Sequence, residues 1–150
     1  MAGNTSNQIV MQDLIINNEE AMVEAGKRAG STTNPGDIYA LIGDLSAGKT
    51  HFTKGLVEGA GCESPVTSPT FPLLHEYLND NVSIYHFDFY RINSVHELID
   101  IGWEDYIESD GICIIEWADK FPEIIPKTAK WLQFNIENDG SRIIHEINGP

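Results

Sequence analysis

The residues with the clearest chemical purpose are Gly43-Asp44-Leu45-Ser46-Ala47-Gly48-Lys49-Thr50, which spell G-x-x-x-x-G-K-T directly after the apolar run Ile38-Tyr39-Ala40-Leu41-Ile42. A strand that delivers the chain to the mouth of a sheet, then such a loop, then a helix, wraps a polyphosphate in main-chain N–H groups. The positive end of the helix points at the same charge. Glycine is needed where the main chain approaches phosphate oxygens without a Cβ in the way. Lys49 is spaced to reach the β- and γ-phosphates, and the Thr50 hydroxyl to complete a Mg²⁺ shell. Asp44, Leu45, Ser46, Ala47, Gly48, Lys49, Thr50 and His51 are the expected nucleotide contacts. The plainer reading, a chance match in a glycine-bearing turn, is disfavoured by the amphipathic stretch Phe52, Leu56, Val57, Ala60 that follows.

A phosphate loop needs a second element: a carboxylate at a strand end that holds Mg²⁺ directly or through water, and a group that positions the attacking nucleophile. Two acids fit. Glu116 ends the apolar run Ile112-Cys113-Ile114-Ile115, and Asp88 ends Val82–Phe87. A carboxylate at the carboxyl end of a buried strand sits where ligands bind in open α/β sheets. The alternative for each is a strand-terminal acid facing solvent or capping a helix. Thr67-Ser68-Pro69-Thr70 supplies three hydroxyls shortly after the loop helix. It reads either as a segment that senses γ-phosphate and Mg²⁺ by ordering, or as an ordinary polar connection.

The histidines say less. His51 could meet the α-phosphate region or simply begin the helix. His75, His86, His96 and His145 lack metal-ligand spacing and read as packing or surface residues. Trp117 reads as buried packing. There is no Asn-Lys-x-Asp guanine reader and no glycine-rich kinase set. No arginine stands as an obvious finger, Arg91 near Asp88 being a weak candidate, so slow hydrolysis without a partner is expected.

The elements that must hold these groups follow from pattern. Residues 1–8 read as a flexible tail and 9–150 as a single domain, large enough to bury a core without staples. Ile9–Ile16 reads as an edge strand, and Asn17 or Asn18 caps a helix to about Ala29 with Ala21, Met22, Ala25 and Ala29 on one side. The loop helix runs from Lys49 to about Ala60 with Gly61 as its C-terminal cap. Ser64–Thr70 reads as irregular chain. Leu73–Leu78 and Val82–Phe87 form a hairpin around Asn79-Asp80-Asn81, and Trp131–Glu137 with Arg142–Ile147 form another around Asn138-Asp139-Gly140. Ser94 and Glu97 make a capping box opening one helix through Leu98, Ile99 and Ile107. The expected class is α/β, a P-loop NTPase fold with a mixed, mainly parallel central sheet flanked by helices.

Bulk composition limits the partners. Nine Lys and Arg face 23 Asp and Glu, for a net charge of −14, and the arginines Arg28, Arg91 and Arg142 are scattered. Tight direct binding of nucleic acid needs phosphate-neutralising cations, which this chain lacks. The acidity serves solubility, or docks an acidic face on a basic partner. No signal peptide or membrane span is read, and Cys62 and Cys113 form no C-x-x-C pair, which predicts reduced thiols in the cytoplasm.

Taken in order, Gly43-Asp44-Leu45-x-Ala47-Gly48-Lys49-Thr50, Ser68-Pro69-Thr70-Phe71, Tyr85-His86-Phe87-Asp88-Phe89-Tyr90-Arg91, Glu97 with Gly102, and Glu116-Trp117 make the chain resemble the TsaE (YjeE) family. The resemblance runs from about residue 13 to the C-terminal hairpin. It implies the bacterial ATPase component of the machinery that makes threonylcarbamoyladenosine on tRNA, working with a TsaB–TsaD pair, using ATP and Mg²⁺, and weak alone. It implies Lys49 on the phosphates, Thr50 on Mg²⁺, Glu116 as the other metal-side acid, Asp88 as a catalytic or water-positioning acid, and Ser68 and Thr70 in a switch-like loop. Little or no tRNA binding by this chain alone is expected. Three positions depart from the family pattern: Ser46 replaces a usual glycine, His51 a common threonine, and Ala21 a frequent threonine near the nucleotide. Two other classes use the same loop, a small-molecule kinase and a nucleotide-gated binding module. The kinase would need a lid with arginines and an acceptor pocket.

Overall fold

The structure, a computed structural model, describes residues 13–44, 47–62, 66–71 and 73–150, with the strand path alone for 66–71. Its centre is an eight-stranded sheet in the order β1-β8-β7-β2-β6-β5-β4-β3. The strands are β1 (Leu14–Ile16), β2 (Ile38–Gly43), β3 (Val66–Phe71), β4 (Leu74–Leu78), β5 (Ser83–Asp88), β6 (Ile112–Glu116), β7 (Lys130–Ile136) and β8 (Arg142–Ile147). The helices are α1 (Glu19–Ser31), α2 (Lys49–Gly59), α3 (Val95–Asp100) and α4 (Trp103–Ile107). None of the described helices is long and apolar enough to cross a membrane.

β7, β2, β6 and β5 run parallel to one another, and the pairs β1–β8, β7–β8, β5–β4 and β4–β3 are antiparallel. The expected mainly parallel sheet is therefore confined to the four middle strands. Hairpins add an antiparallel flank on each side, because a two- to five-residue turn can only return the chain antiparallel. Both turns are closed by their own side chains. Asn79 Oδ1 accepts from the N–H groups of Asn81 and Val82 at 2.9 Å, and Asp139 Oδ1 from that of Ser141 at 2.9 Å. The two central strands, β2 and β6, read as near-continuous apolar runs because both faces are covered. Every residue of β6 is buried.

One core lies between the sheet and α1 with α2, around Tyr39, Leu41, Phe52, Leu56, Ile114 and Phe134. The other lies between the opposite face and α3 with α4, around Ala40, Phe87, Phe89, Leu98, Trp103 and Ile115. Cys62 and Cys113 are buried free thiols in different cores.

Three sequence expectations change here. The stretch Ser64–Thr70, read as irregular, instead carries β3 from Val66 to Phe71, paired with β4 from Val66↔Leu78 to Phe71↔Leu74 with a register shift between Pro69 and Phe71. The prolines concealed it, since proline is tolerated on an edge strand. The single helix through Ile107 is two, broken at Gly102, whose φ of 88° is left-handed. The capping box does not form: Glu97 Oε2 accepts from the N–H of Asn93, one residue before the cap, at 2.9 Å, and the Ser94 side chain makes no capping bond. Residues 1–12, with the tail and the Ile9-Val10-Met11 part of the edge strand, lie outside the described residues.

α1 and α2 touch through main chain. A Cβ on Gly26 or Gly30 would stand 2.1 or 2.2 Å from the carbonyl oxygens of Phe52 and Leu56. In return, a Cβ on Gly55 or Gly59 would stand 2.0 or 2.2 Å from those of Val23 and Lys27. Two glycine pairs four residues apart thus face each other and remove the side-chain layer between the helices. Gly55→Ala forces them apart and is expected to cost about 1–3 kcal/mol of stability, as overpacking does. Urea denaturation measures it, and an unchanged midpoint would show that the spacing is not enforced.

Candidate active site

β2 feeds the Gly43–Thr50 loop directly into α2. Gly48 opens that helix with φ 104°, and a Cβ there would meet the Met22 methyl of α1 at 2.5 Å. Glycine is thus required both by the left-handed turn and by the closeness of α1. Lys49 follows, only 4% exposed. Its Nζ donates to the carbonyl oxygens of Gly43 and, at 3.1 Å, Asp44, and lies 4.1 Å from the centre of the Trp117 ring. Burial pulls its pKa below the ordinary lysine value, opposed by the carboxylates of Glu116, Asp119, Asp44 and Asp88.

The two strand-end acids stand side by side. Leu41 of β2 is opposite Glu116 of β6, and Glu116 is opposite Asp88 of β5. Glu116 is 8% exposed and sits 2.7 Å from His86 Nε2 through its Oε2. Asp88 Oδ1 accepts from the N–H of Tyr90 at 3.0 Å, capping the short 3₁₀ turn Phe89–Arg91. Trp117, directly after Glu116, has φ 60° and is half-buried, its ring 5.0 Å from that of Tyr90. It packs, partly buried, against the second core, in line with the packing role read from sequence, and also reaches the site. The left-handed main chain turns the indole out of the sheet and over the lysine, a cation–π contact of about 0.5–2 kcal/mol.

Glu116 and Trp117 border a cavity of about 430 Å³, lined at the loop also by Asp44, Gly48, Lys49 and Thr50, whereas Asp88 and His86 are not among its lining residues. α1 and β8 close it from the side through Asn18, Met22 and Arg142. His51 also lines it, and its Nε2 approaches Glu19 Oε1 at 3.7 Å across the mouth. Arg91 is exposed and does not line the cavity. Leu45 and Ser46 lie outside the described residues, and Ser68 and Thr70 are placed in β3 by main chain only.

The volume is that of a small-molecule pocket, and the donor set suits a magnesium nucleotide. A buried ammonium flanked by carboxylates is matched to an anion that brings a hard cation with it. Thr50, Asp44 and Glu116 offer oxygen ligands. Among the described residues no group of three His, Cys, Asp or Glu could hold a metal by itself.

Comparison with known proteins gives the family. The model of the family described as threonylcarbamoyl adenosine biosynthesis protein TsaE matches residues 16–144. The chain belongs to the TsaE family. The chain is 38% identical over 129 residues to the tRNA threonylcarbamoyladenosine biosynthesis protein TsaE of Bacillus subtilis, spanning 86% of this chain and 80% of that one. It is 36% identical to the protein of the same description from Treponema pallidum, spanning 79% and 87%. A crystal structure of Bacillus subtilis YdiB superposes with a TM-score of 0.75 at 31% identity, covering 93% of this chain and 86% of that one.

In this TsaE-family chain, residue reasoning from sequence missed three contributors. His86 carried a signal, since it lies two residues before Asp88 and so on the same strand face. Trp117 depended on an unusual φ, and Arg142 on the place of β8 in the sheet. Neither is written in local sequence.

The lysine gives a pH prediction. A folded-state pKa below the unfolded value means the unfolded chain holds this proton more tightly. The charged lysine therefore burdens the fold at neutral pH, and the burden lifts as pH rises toward 10.5. In urea denaturation, the stability of wild type relative to Lys49→Met is expected to rise from neutral pH to that value. A flat or falling difference contradicts it.

Proposed function

We propose that the chain is a Mg²⁺-dependent ATP-binding and ATP-hydrolysing subunit, with a P-loop NTPase fold, acting in the threonylcarbamoyladenosine modification of tRNA. The observation that carries this reading is the buried Lys49 ammonium at the junction of β2 and α2, with the carboxylates of Glu116 and Asp88 on the neighbouring strand ends. Family membership supplies the pathway, through relatives described as tRNA threonylcarbamoyladenosine biosynthesis proteins.

In this reading Lys49 exchanges its carbonyl partners for phosphate oxygens, while Gly48 and the start of α2 direct N–H groups at the same charge. Thr50 and Glu116 would hold Mg²⁺, and the ion would supply neutralisation of the charge that develops on the phosphates. Asp88 orients the attacking water. Asp44, Ala47 and His51 contribute from the loop and the first turn of α2, and β3, with Ser68 and Thr70, responds to the γ-phosphate. The partners are the TsaB and TsaD homologues, and the site of action is the cytoplasm. The acidic chain leaves tRNA contact to them, since −14 of net charge repels a polyanion.

Hydrolysis assays with and without the partners test this. Lys49→Ala should lose nucleotide binding. Asp88→Asn and Glu116→Gln should each lower partner-stimulated hydrolysis by about 100-fold or more. Absence of hydrolysis above background in the complex, unchanged by Lys49→Ala, sinks the reading.

A further inference from the structure

His86 has no part in the scheme above, yet it is the side chain in closest polar contact with Glu116, at 2.7 Å. Its surroundings define what that contact is. The ring is nearly buried, with 12% of its side-chain surface exposed, and the Glu116 side chain is at 11%. On the β4 side it packs against Tyr77, nearly parallel with centroids 6.5 Å apart, and against His75 at 6.2 Å. Nδ1 is buried and has no hydrogen-bond partner among the described residues. An ionised carboxylate only accepts, so the proton in the short contact is on Nε2 and His86 is the donor. The neutral tautomer that places its proton there leaves Nδ1 as a bare acceptor, which is the cheaper group to leave without a partner.

We propose that His86 is a positioning residue: its Nε2–H fixes the Glu116 carboxylate at the end of β6 in the orientation that receives Mg²⁺ with the nucleotide. The proposal rests on the ATPase reading above. Register explains why β5 supplies it. His86 lies opposite Ile114, two residues before the Asp88↔Glu116 pair, so its side chain rises on the same sheet face as Glu116 and reaches forward along the strand. His86 is also opposite His75, and His75 is opposite Pro69 of β3. The hydrogen bond therefore joins Glu116 to the strands that continue into the Ser68–Thr70 segment. Partners that orient metal-ligating carboxylates typically account for about 10–100-fold in metal affinity.

The test exploits which nitrogen makes the contact. A glutamine amide nitrogen falls near the place of Nε2, whereas an asparagine amide reaches only as far as Nδ1. ATP binding is measured by calorimetry over graded Mg²⁺, and again in EDTA, for wild type, His86→Gln, His86→Asn, Glu116→Gln and the His86→Asn/Glu116→Gln double variant. His86→Asn should raise the Mg²⁺ requirement about 10-fold or more. His86→Gln should stay within about 3-fold of wild type, and metal-free ATP binding should hold in both single His86 variants. The double variant should be no worse than Glu116→Gln, because the histidine acts through that carboxylate. Equal behaviour of the Gln and Asn variants, an unchanged Mg²⁺ requirement in His86→Asn, or additivity in the double variant overturns the proposal while leaving the ATPase reading intact. Failure of wild type itself to bind ATP with Mg²⁺ overturns both.

Discussion

An ammonium held almost out of water, on two main-chain carbonyls and the face of an indole, is the contact around which the carboxyl end of this sheet is organised. Burying a lone cation costs several kcal/mol, and the cost is met only by close, well-aimed partners. Each partner comes from a different element. The Gly43 and Asp44 carbonyls come from the end of β2, the Trp117 ring from the turn after β6, and the supporting negative charge from Glu116, Asp88 and Asp119. The lysine thus ties the loop to the strand ends on one side of β2. On the function proposed above, a group so placed trades its carbonyls for phosphate oxygens while the acids around it remain where they are.

That arrangement depends on a frame that does not give. The frame is the α1–α2 contact, where four glycines let the two main chains meet without side chains between them. Its consequence reaches the site through Met22, which α1 sets against Gly48, and through Asn18 and Glu19 at the start of α1. α1 acts as a wall of the cavity as well as a cover for the core. The antiparallel flanks complete the enclosure: β8 carries Arg142 to the cavity edge, and β4 packs its aromatic residues against His86.

Several elements could be read from residues because the cause is local. Asn18 caps α1 through its own Oδ1, 2.8 Å from the N–H of Ala21. Gly61 ends α2 as a left-handed residue, with N–H groups of Gly61 and Cys62 bonding back to the carbonyls of Glu58 and Val57. The hairpins at Asn79 and Asp139 close on short-range side-chain bonds. β3 escaped notice because its evidence is pairing with β4 rather than anything in Val66–Phe71. The helix after Ser94 was read too long because glycine in a helical pattern is ambiguous between a tolerated residue and a break.

The chain's order of residues was enough to name the loop, the lysine, the threonine and the two strand-end acids, since each is defined by spacing along one segment. Their neighbourhood was not, because adjacency across a parallel sheet is a matter of strand order and register. Nothing near residue 41 announces that it will lie beside residue 116, or that 88 will lie beyond it. The same holds for the histidine on Glu116, the indole on Lys49 and the arginine at the cavity rim. Contacts made within a turn are encoded where they occur, whereas contacts made between strands far apart in the chain exist only once the whole sheet has closed.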